Sequence, residues 1–530
     1  MRMTNGLRFF SPQALAPTLV LALVLAGAGA PAGAGSGTEM SAAAAAALIV
    51  PEALRDSVET LAAPEMEGRN TPNKGLDRAA EFLAEEMEKA GLRPLGDDGT
   101  FFHKYPLECL TVDPKTSLTI SLPGEEERTL EIGKDFMPIR GSDESEAEGE
   151  IAFVGYAIDS REEKYDDFGN KSIKGKVALC FWHEPREKSK GKVFDGPQST
   201  KWSSFEEKAK AVKERGAVAL LVVTDPVNHD EDEEGPIAFQ FPFYTSANPH
   251  EQKAESAGIP MAHVSLEVAE ALAGKPLEPV QKSLDASLRG KPFVAANRSA
   301  RLSVRFKTEP VVTQNVVGYW PGGDEPLAQE AIVISAHYDH IGRDSRGDVF
   351  HGADDDGSGT AAVLEVARTW AASGIRPPRG VIFAFFSAEE KGLIGSKEYV
   401  ARPPFPLART VANLNMDMIG RNDRGKINAV GKIQNESLWD IAARAGKRPD
   451  VGIKVEDEGN EFFNRSDHYN FYKNGVPFLF FFSGMHEDYH RITDTPDKVD
   501  AKKVAQMARL VFYTSHDLAM SDVRPKIKGD

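Results

Sequence analysis

Four short apolar runs, each leading into a loop rich in histidine and carboxylate, constrain this chain more than any other feature. They occupy residues 332–335, 381–386, 411–416 and 478–482. Each is too short for a buried helix, so each reads as a strand covered on both faces. Between them the apolar period changes. Ala362, Val363, Val366, Ala367 and Trp370 mark one helix face, and Leu438, Ile441, Ala442 and Ala445 another, at i, i+3, i+4 and i+7. Strands alternating with helices build an α/β fold whose central sheet is mixed, mainly parallel and flanked by helices. In such sheets the functional site lies at the carboxyl ends of the strands.

That edge is where the reactive residues fall. Residues 332–336 deliver His337, Tyr338, Asp339 and His340; Asp354, Asp355 and Asp356 follow, ahead of Gly357-Ser358-Gly359. Residues 381–386 lead to Glu389 and Glu390, residues 411–416 to Asp417, and residues 478–482 to Tyr489 and His490. Charges set directly after buried strands are costly unless they bind something. Histidine with carboxylate matches a borderline-hard divalent ion, zinc first, with manganese or cobalt as alternatives. Two such ions held close repel, so a carboxylate must bridge them. The pair can then generate hydroxide by lowering the pKa of bound water from ~15.7 toward ~7. Adjacent glutamates can divide the labour, one on metal and one on water.

Composition narrows the partners. The 530 residues include 63 Lys and Arg against 80 Asp and Glu, a net charge of −17, which argues against nucleic acid or an anionic membrane surface. Two cysteines exclude a disulfide scaffold and a thiolate zinc site. Arg2 and Arg8 precede the apolar residues 19–25 and a small-residue exit over 28–34, the pattern of a secretory signal peptide across residues 1–35. The run is short for a span of ~20 residues, so the expectation is a secreted or periplasmic protein without stable membrane insertion. Residues 36–47, with their alanine tract, read as a low-complexity linker.

Residues 48–112 read as a helical N-terminal part of the catalytic domain. Leu76, Ala79, Ala80, Leu83, Met87 and Ala90 form one helical stripe, stopped by Gly91 and Pro94. Residues 113–296 change texture to short apolar runs, at 151–156, 177–181 and 219–223, with one helix pattern near 205–215. They suggest a separate β/α domain, followed by the catalytic segment at 297–526.

The ordered array resembles the di-zinc aminopeptidase family, family twenty-eight of the metallopeptidases, and the middle segment resembles the protease-associated domain inserted in such enzymes. The resemblance rests on the five ligand positions and, in the insert, on 174–179, 208–223 and Ile259-Pro260-Met261. It implies a zinc exopeptidase-like fold holding two zinc ions per chain and acting on peptides. Asp355 would bridge the ions; His337 and Asp417 would complete one, Glu390 and His490 the other. Glu389 would be the general base, Tyr489 the oxyanion-stabilising group, Asp339 a carboxylate orienting His337, and Asp494 a partner of His490. The register to Gly357-Ser358-Gly359 favours Asp355 over its neighbours as the bridge. Glu67-Gly68-Arg69 resembles the family's N-terminal part. An exported aminopeptidase using a bridging hydroxide is the leading expectation.

Rival readings rank below it. A glutamate carboxypeptidase-like enzyme would need cations such as Arg421 or Arg465 near the pocket. Glutaminyl cyclase works with one zinc, and a non-catalytic binding protein of this fold would have lost ligands that this chain keeps. His340, His351, His468 and His486 read as lining or structural groups rather than ligands. The acidic residues 230–234 lack the spaced ligands of a calcium loop, and a bond between Cys109 and Cys180 is left open.

Overall fold

The computed structural model describes residues 39–187, 194, 200–229, 242–247, 256–323, 326–344 and 346–528. The expected signal peptide and the acidic residues 230–234 lie outside the described residues.

Nine strands carry the argument, in chain order: β1 (Phe102–Val112), β2 (Val177–Phe181), β3 (Ala219–Val223), β4 (Phe243–Ser246), β5 (Phe306–Trp320), β6 (Ala331–His337), β7 (Gly380–Phe386), β8 (Thr410–Met416) and β9 (Phe478–Phe482). The main sheet has ten strands and runs β4–β1–β5–β7–β6–β8–β9, then Lys426–Val430 and Lys454–Glu456, with Arg93–Pro94 pairing on β5. It is mixed, as expected. Its centre, β7–β6–β8–β9, is parallel, while β5, β1 and β4 extend it antiparallel. Every residue of β6, β7, β8 and β9 is buried, which is why these segments read as continuous apolar runs rather than alternating ones.

Six helices frame the account: α1 (Ala42–Ala46), α2 (Pro51–Leu61), α3 (Lys74–Lys89), α4 (Phe205–Glu214), α5 (Gly357–Ser373) and α6 (Ala501–Ala519). The stripe Leu76, Ala79, Ala80, Leu83 and Met87 is the buried face of α3, and Asn73 caps its start by accepting the Leu76 N–H at 2.7 Å. One expectation is corrected here. Residues 42–46 are not a linker but the helix α1. Alanine is the best helix former, Ser41 caps the run, and Ala45 and Ala46 are buried in the core shared with α5 and α6.

The inserted segment has its own eight-stranded sheet, with β2 and β3 parallel at its centre and α4 nearby. Two boundaries differ from the expectation. The insert's sheet begins at Ser117–Ser121 and includes Phe293–Ser303, so it runs past residue 296. Conversely, β4 lies within the insert's sequence yet pairs with β1 of the main sheet, so the two parts are tied by backbone hydrogen bonds. Cys109 on β1 and Cys180 on β2 belong to different sheets, and both are free thiols.

Candidate functional site

The carboxyl ends of β6, β7, β8 and β9 converge on one site. His337 is the last residue of β6, Asp417 follows β8 directly, Glu389 and Glu390 follow β7, and Tyr489 and His490 lie in the loop after β9. Asp355 precedes α5 by two residues.

Three consecutive aspartates divide their roles by orientation. Asp356 caps α5, accepting the Gly359 N–H at 3.0 Å, and also takes the Met418 N–H at 3.1 Å. Asp354 accepts the Gly420 N–H at 2.6 Å and faces His486 at 3.3 Å. Asp355 alone faces both sides of the site: Oδ1 is 3.3 Å from His337 Nε2, and Oδ2 is 3.3 Å from His490 Nε2. The helix can approach this closely because Gly359 has no side chain; a Cβ there would meet the Met416 carbonyl oxygen at 2.7 Å.

Two groups of potential metal ligands result. One is His337, Asp355 and Asp417; the other is His340, Asp355 and Glu390; Asp355 belongs to both. His490 Nε2 stands beside the second, 3.1 Å from Glu390 Oε2. The approaches of His337 and His490 to Asp355 lack hydrogen-bond geometry: Asp355 Oδ2 and His490 Nε2 are buried with no hydrogen-bond partner among the described residues. Buried polar atoms are almost always paired, so an aimed, unpaired set of nitrogen and carboxylate donors fits a pair of divalent cations.

His340 is the residue whose place the sequence reading missed. Its Nδ1 lies 2.9 Å from Glu390 Oε1, inside the second group rather than along its lining. Its position three residues after His337, at the same strand end, was the available signal.

The electrostatics follow from crowding anions in a buried space. Burial pushes the Glu389 carboxyl well above the usual range, the neighbouring Glu390 and Asp417 add to this, and His337 opposes it. Burial would also raise Asp355, but His337 and His490 hold it well below the ordinary value. Burial disfavours the His490 cation, yet Asp355 and Glu390 prevail and lift it to about 10. Burial raises the Tyr489 hydroxyl, reinforced by Asp355 and Glu390, so it stays a protonated donor. Its ring stacks on His490 with centroids 3.9 Å apart.

The supporting residues are placed as follows. The Asp339 carboxylate accepts the Glu389 N–H and the Thr71 hydroxyl, each at 3.1 Å. His337 Nδ1 approaches the Asp339 backbone carbonyl at 3.2 Å and its carboxylate at 3.6 Å, so the nearer of the two is the main chain. Asp494 is corrected. It does not partner His490 but accepts the N–H groups of Asp354 and Asp355 at 3.0–3.2 Å, fixing the loop that presents Asp355. A buried carboxylate near a chain of amide donors satisfies them before it reaches a more distant ring. Arg69 is wholly buried, and donates to the carbonyls of Tyr338, His351 and Gly352 at 2.8 Å and Leu61 at 2.5 Å. It thus pins the N-terminal part to the His337 and Asp355 loops.

Comparison with known proteins decides the lineage. Residues 315–515 match peptidase family M28, and residues 143–272 match the PA domain. The chain carries a domain of peptidase family M28 with a PA domain before it. It is similar to leupeptin-inactivating enzyme 1 of Streptomyces exfoliatus, 33% identical over 181 residues, which is 34% of this chain and 38% of that protein. Aminopeptidase YwaD of Bacillus subtilis is 26% identical over 207 residues, 37% of this chain and 43% of that protein. The matched stretches therefore span less than half of these two relatives. Among solved structures, an aminopeptidase from Aneurinibacillus sp. strain AM-1 superposes with a TM-score of 0.55 at 21% identity, covering 89% of this chain and 95% of the other. A zinc aminopeptidase from Bacillus subtilis does so with a TM-score of 0.54 at 19% identity, covering 89% and 96%. These two likenesses show a shared fold.

Proposed function

We propose that this chain is an exported exopeptidase with two zinc ions, acting as an aminopeptidase on peptides. The observation that carries the reading is Asp355, shared by two histidine–carboxylate groups at the carboxyl ends of parallel strands. His337 and Asp417 would hold one ion, and Glu390 and His490 the other, with His340 beside them. Ions bound there would activate a water and polarise the scissile carbonyl.

The chain's own groups do the rest. Glu389 sits next to the ligand Glu390, its carboxyl raised by burial, and so is suited both to take a proton from the attacking water and to return it to the departing amine. Tyr489, kept protonated beside the same carboxylates, donates a hydrogen bond to the oxyanion as it forms. Asp339 holds the Glu389 backbone and His337 in register, while Asp494 does the same for Asp355. Arg421, the cation that a glutamate carboxypeptidase would offer to a substrate carboxylate, pairs instead with Asp488 at 2.8 Å. Export rests on the N-terminal sequence pattern of residues 1–35. Among the described residues no helix is long and apolar enough to cross a membrane.

Hydrolysis of aminoacyl-p-nitroanilides beside N-acylated and C-terminal glutamyl peptides, with chelator and zinc add-back, tests the reading. Chelator-sensitive release from free-amine substrates alone is expected. Cleavage confined to the acylated, C-terminal substrates would overturn it in favour of a carboxypeptidase.

A further inference from the structure

A second cluster of metal-binding side chains lies in the PA domain, apart from the site above. His183 stands two residues beyond β2 and Asp225 two beyond β3. Those strands are parallel neighbours in the register Phe181 to Val223, so the two residues occupy equivalent positions at one sheet edge. Glu187 and His229 each follow four residues later. The loops thus present His-x-x-x-Glu against Asp-x-x-x-His, and the four side chains meet. His183 Nδ1 is 2.5 Å from Asp225 Oδ1, and His229 Nε2 is 2.6 Å from Glu187 Oε2. The imidazole rings are stacked with centroids 3.7 Å apart and planes 12° from parallel. One ligand atom from each of the four lies within 4.8 Å of all the others.

We propose that His183, Glu187, Asp225 and His229 bind one zinc-class divalent cation in the PA domain. Two imidazoles and two carboxylates form a tetrahedral donor set of the kind zinc takes, with bonds of about 2.0–2.2 Å. His183–Asp225 and His229–Glu187 are hydrogen-bonded pairs as they stand. Ligand atoms around such an ion stand about 3.3 Å apart, so both pairs need to open by less than an ångström. The stacked rings also need to turn until each ring plane passes through the ion. Charge argues the same way. Glu187 and Asp225 bring two carboxylates into one cluster, and a dication answers both. Asp225 is prepared for this: Gln281 Nε2 at 3.0 Å and Asn228 Nδ2 at 3.1 Å hold its Oδ2, directing Oδ1 at His183. The nearby Lys208 ammonium is spoken for by the carbonyls of Tyr156 and His183, at 2.6 and 2.9 Å. The ion would tie together the two loops at this edge, one of which leads on to β4 and the main sheet.

The experiment is zinc content per chain in the full-length protein after desalting, for the wild type and for His183→Gln, His229→Gln and Glu187→Gln. Each variant is expected to hold one zinc fewer than the wild type, whatever the wild-type total. Glu187→Gln removes a single ligand charge at the rim and keeps the side chain's shape, so it serves if a histidine variant fails to fold. Asp355→Ala is the independent arm. It is expected to keep the PA-domain ion, with X-ray absorption showing two imidazole nitrogens at about 2.0 Å. Equal zinc in wild type and every PA-domain variant, or an oxygen-only shell in Asp355→Ala, means an adventitious ion only and overturns the proposal. Failure of the peptidase reading would instead leave Asp355→Ala with the wild-type zinc content, without altering the PA-domain difference.

Discussion

His468 shows how much of this fold is decided one residue at a time. It is wholly buried, stacked on Phe480 at 4.4 Å and Phe478 at 5.0 Å, with Nε2 at 2.8 Å from the Phe463 carbonyl. Burial pushes its pKa down to about 3, against a smaller upward pull from that carbonyl. The fold therefore holds it neutral while the unfolded chain takes up a proton near pH 6.5. Below that pH the unfolded state binds more protons, so this residue's contribution is lost as pH falls, by up to about 1.36 kcal/mol per unit. Between pH 6.5 and 5 that amounts to about 2 kcal/mol. Urea unfolding across this range should show a shallower acid decline in His468→Gln than in the wild type; parallel declines would contradict the assignment.

The candidate ligands were legible as candidates because each is a charge set beyond a buried strand, where chance seldom puts one. What each side chain touches was less so. His340, Asp494 and the main-chain approach of Asp339 to His337 depend on where loops from different strands come to rest, which no local spacing encodes. The PA-domain cluster is the clearest case. His183 and His229 lie in loops separated by the whole of α4 and β3, and each taken singly resembles an ordinary surface histidine.

Among the elements, α5 bears the closest tolerances. Residues 357 to 367 are all buried, and the helix starts on Gly-Ser-Gly because its first turn lies against the end of β8. Thr360 Oγ1 donates to the His337 carbonyl at 2.6 Å and Ser358 Oγ to the Asp354 carbonyl at 2.9 Å. The helix start therefore sets the spacing between Asp355 and His337. A side chain at Gly359 would meet the Asp356 carboxylate at 2.6 Å or less and the Met416 carbonyl at 2.7 Å, backbone and a capping group that have little room to yield. Overpacking of this kind costs about 1–3 kcal/mol. Gly359→Val should lose that much in denaturant unfolding and at least ~10-fold in kcat, since an ångström of misplacement costs up to ~100-fold. Wild-type turnover in this variant would show that α5 does not set the site.

The elements themselves were read well where period and length agreed: α3, α5 and the four central strands are where the apolar pattern puts them. The exceptions share one cause, that tertiary contact overrides local texture. The alanine tract of α1 has no polar face to announce a helix, yet small residues let it pack against α5 and α6. The four residues of β4 carry no mark that they leave the insert's sheet for the main one.

At the scale of the whole molecule, an insert with its own core shares a strand pairing with the main sheet, and the N-terminal part lies in one core with α5 and α6 and is pinned further by Arg69. Arg69 takes four carbonyls from Leu61 and from the loops around His337 and Asp355. A net bond to a charged donor is worth about 1.5–3 kcal/mol, so this contact makes the first helices part of the site's support rather than an appendage. The proposed exopeptidase passes its proton transfers through one carboxylate, Glu389. The direct measurement is kcat for Glu389→Gln alongside its zinc content at the Asp355 site. The account predicts a fall of about 10²–10⁴-fold with that zinc retained. Turnover near the wild-type value, with the metal still in place, would contradict it.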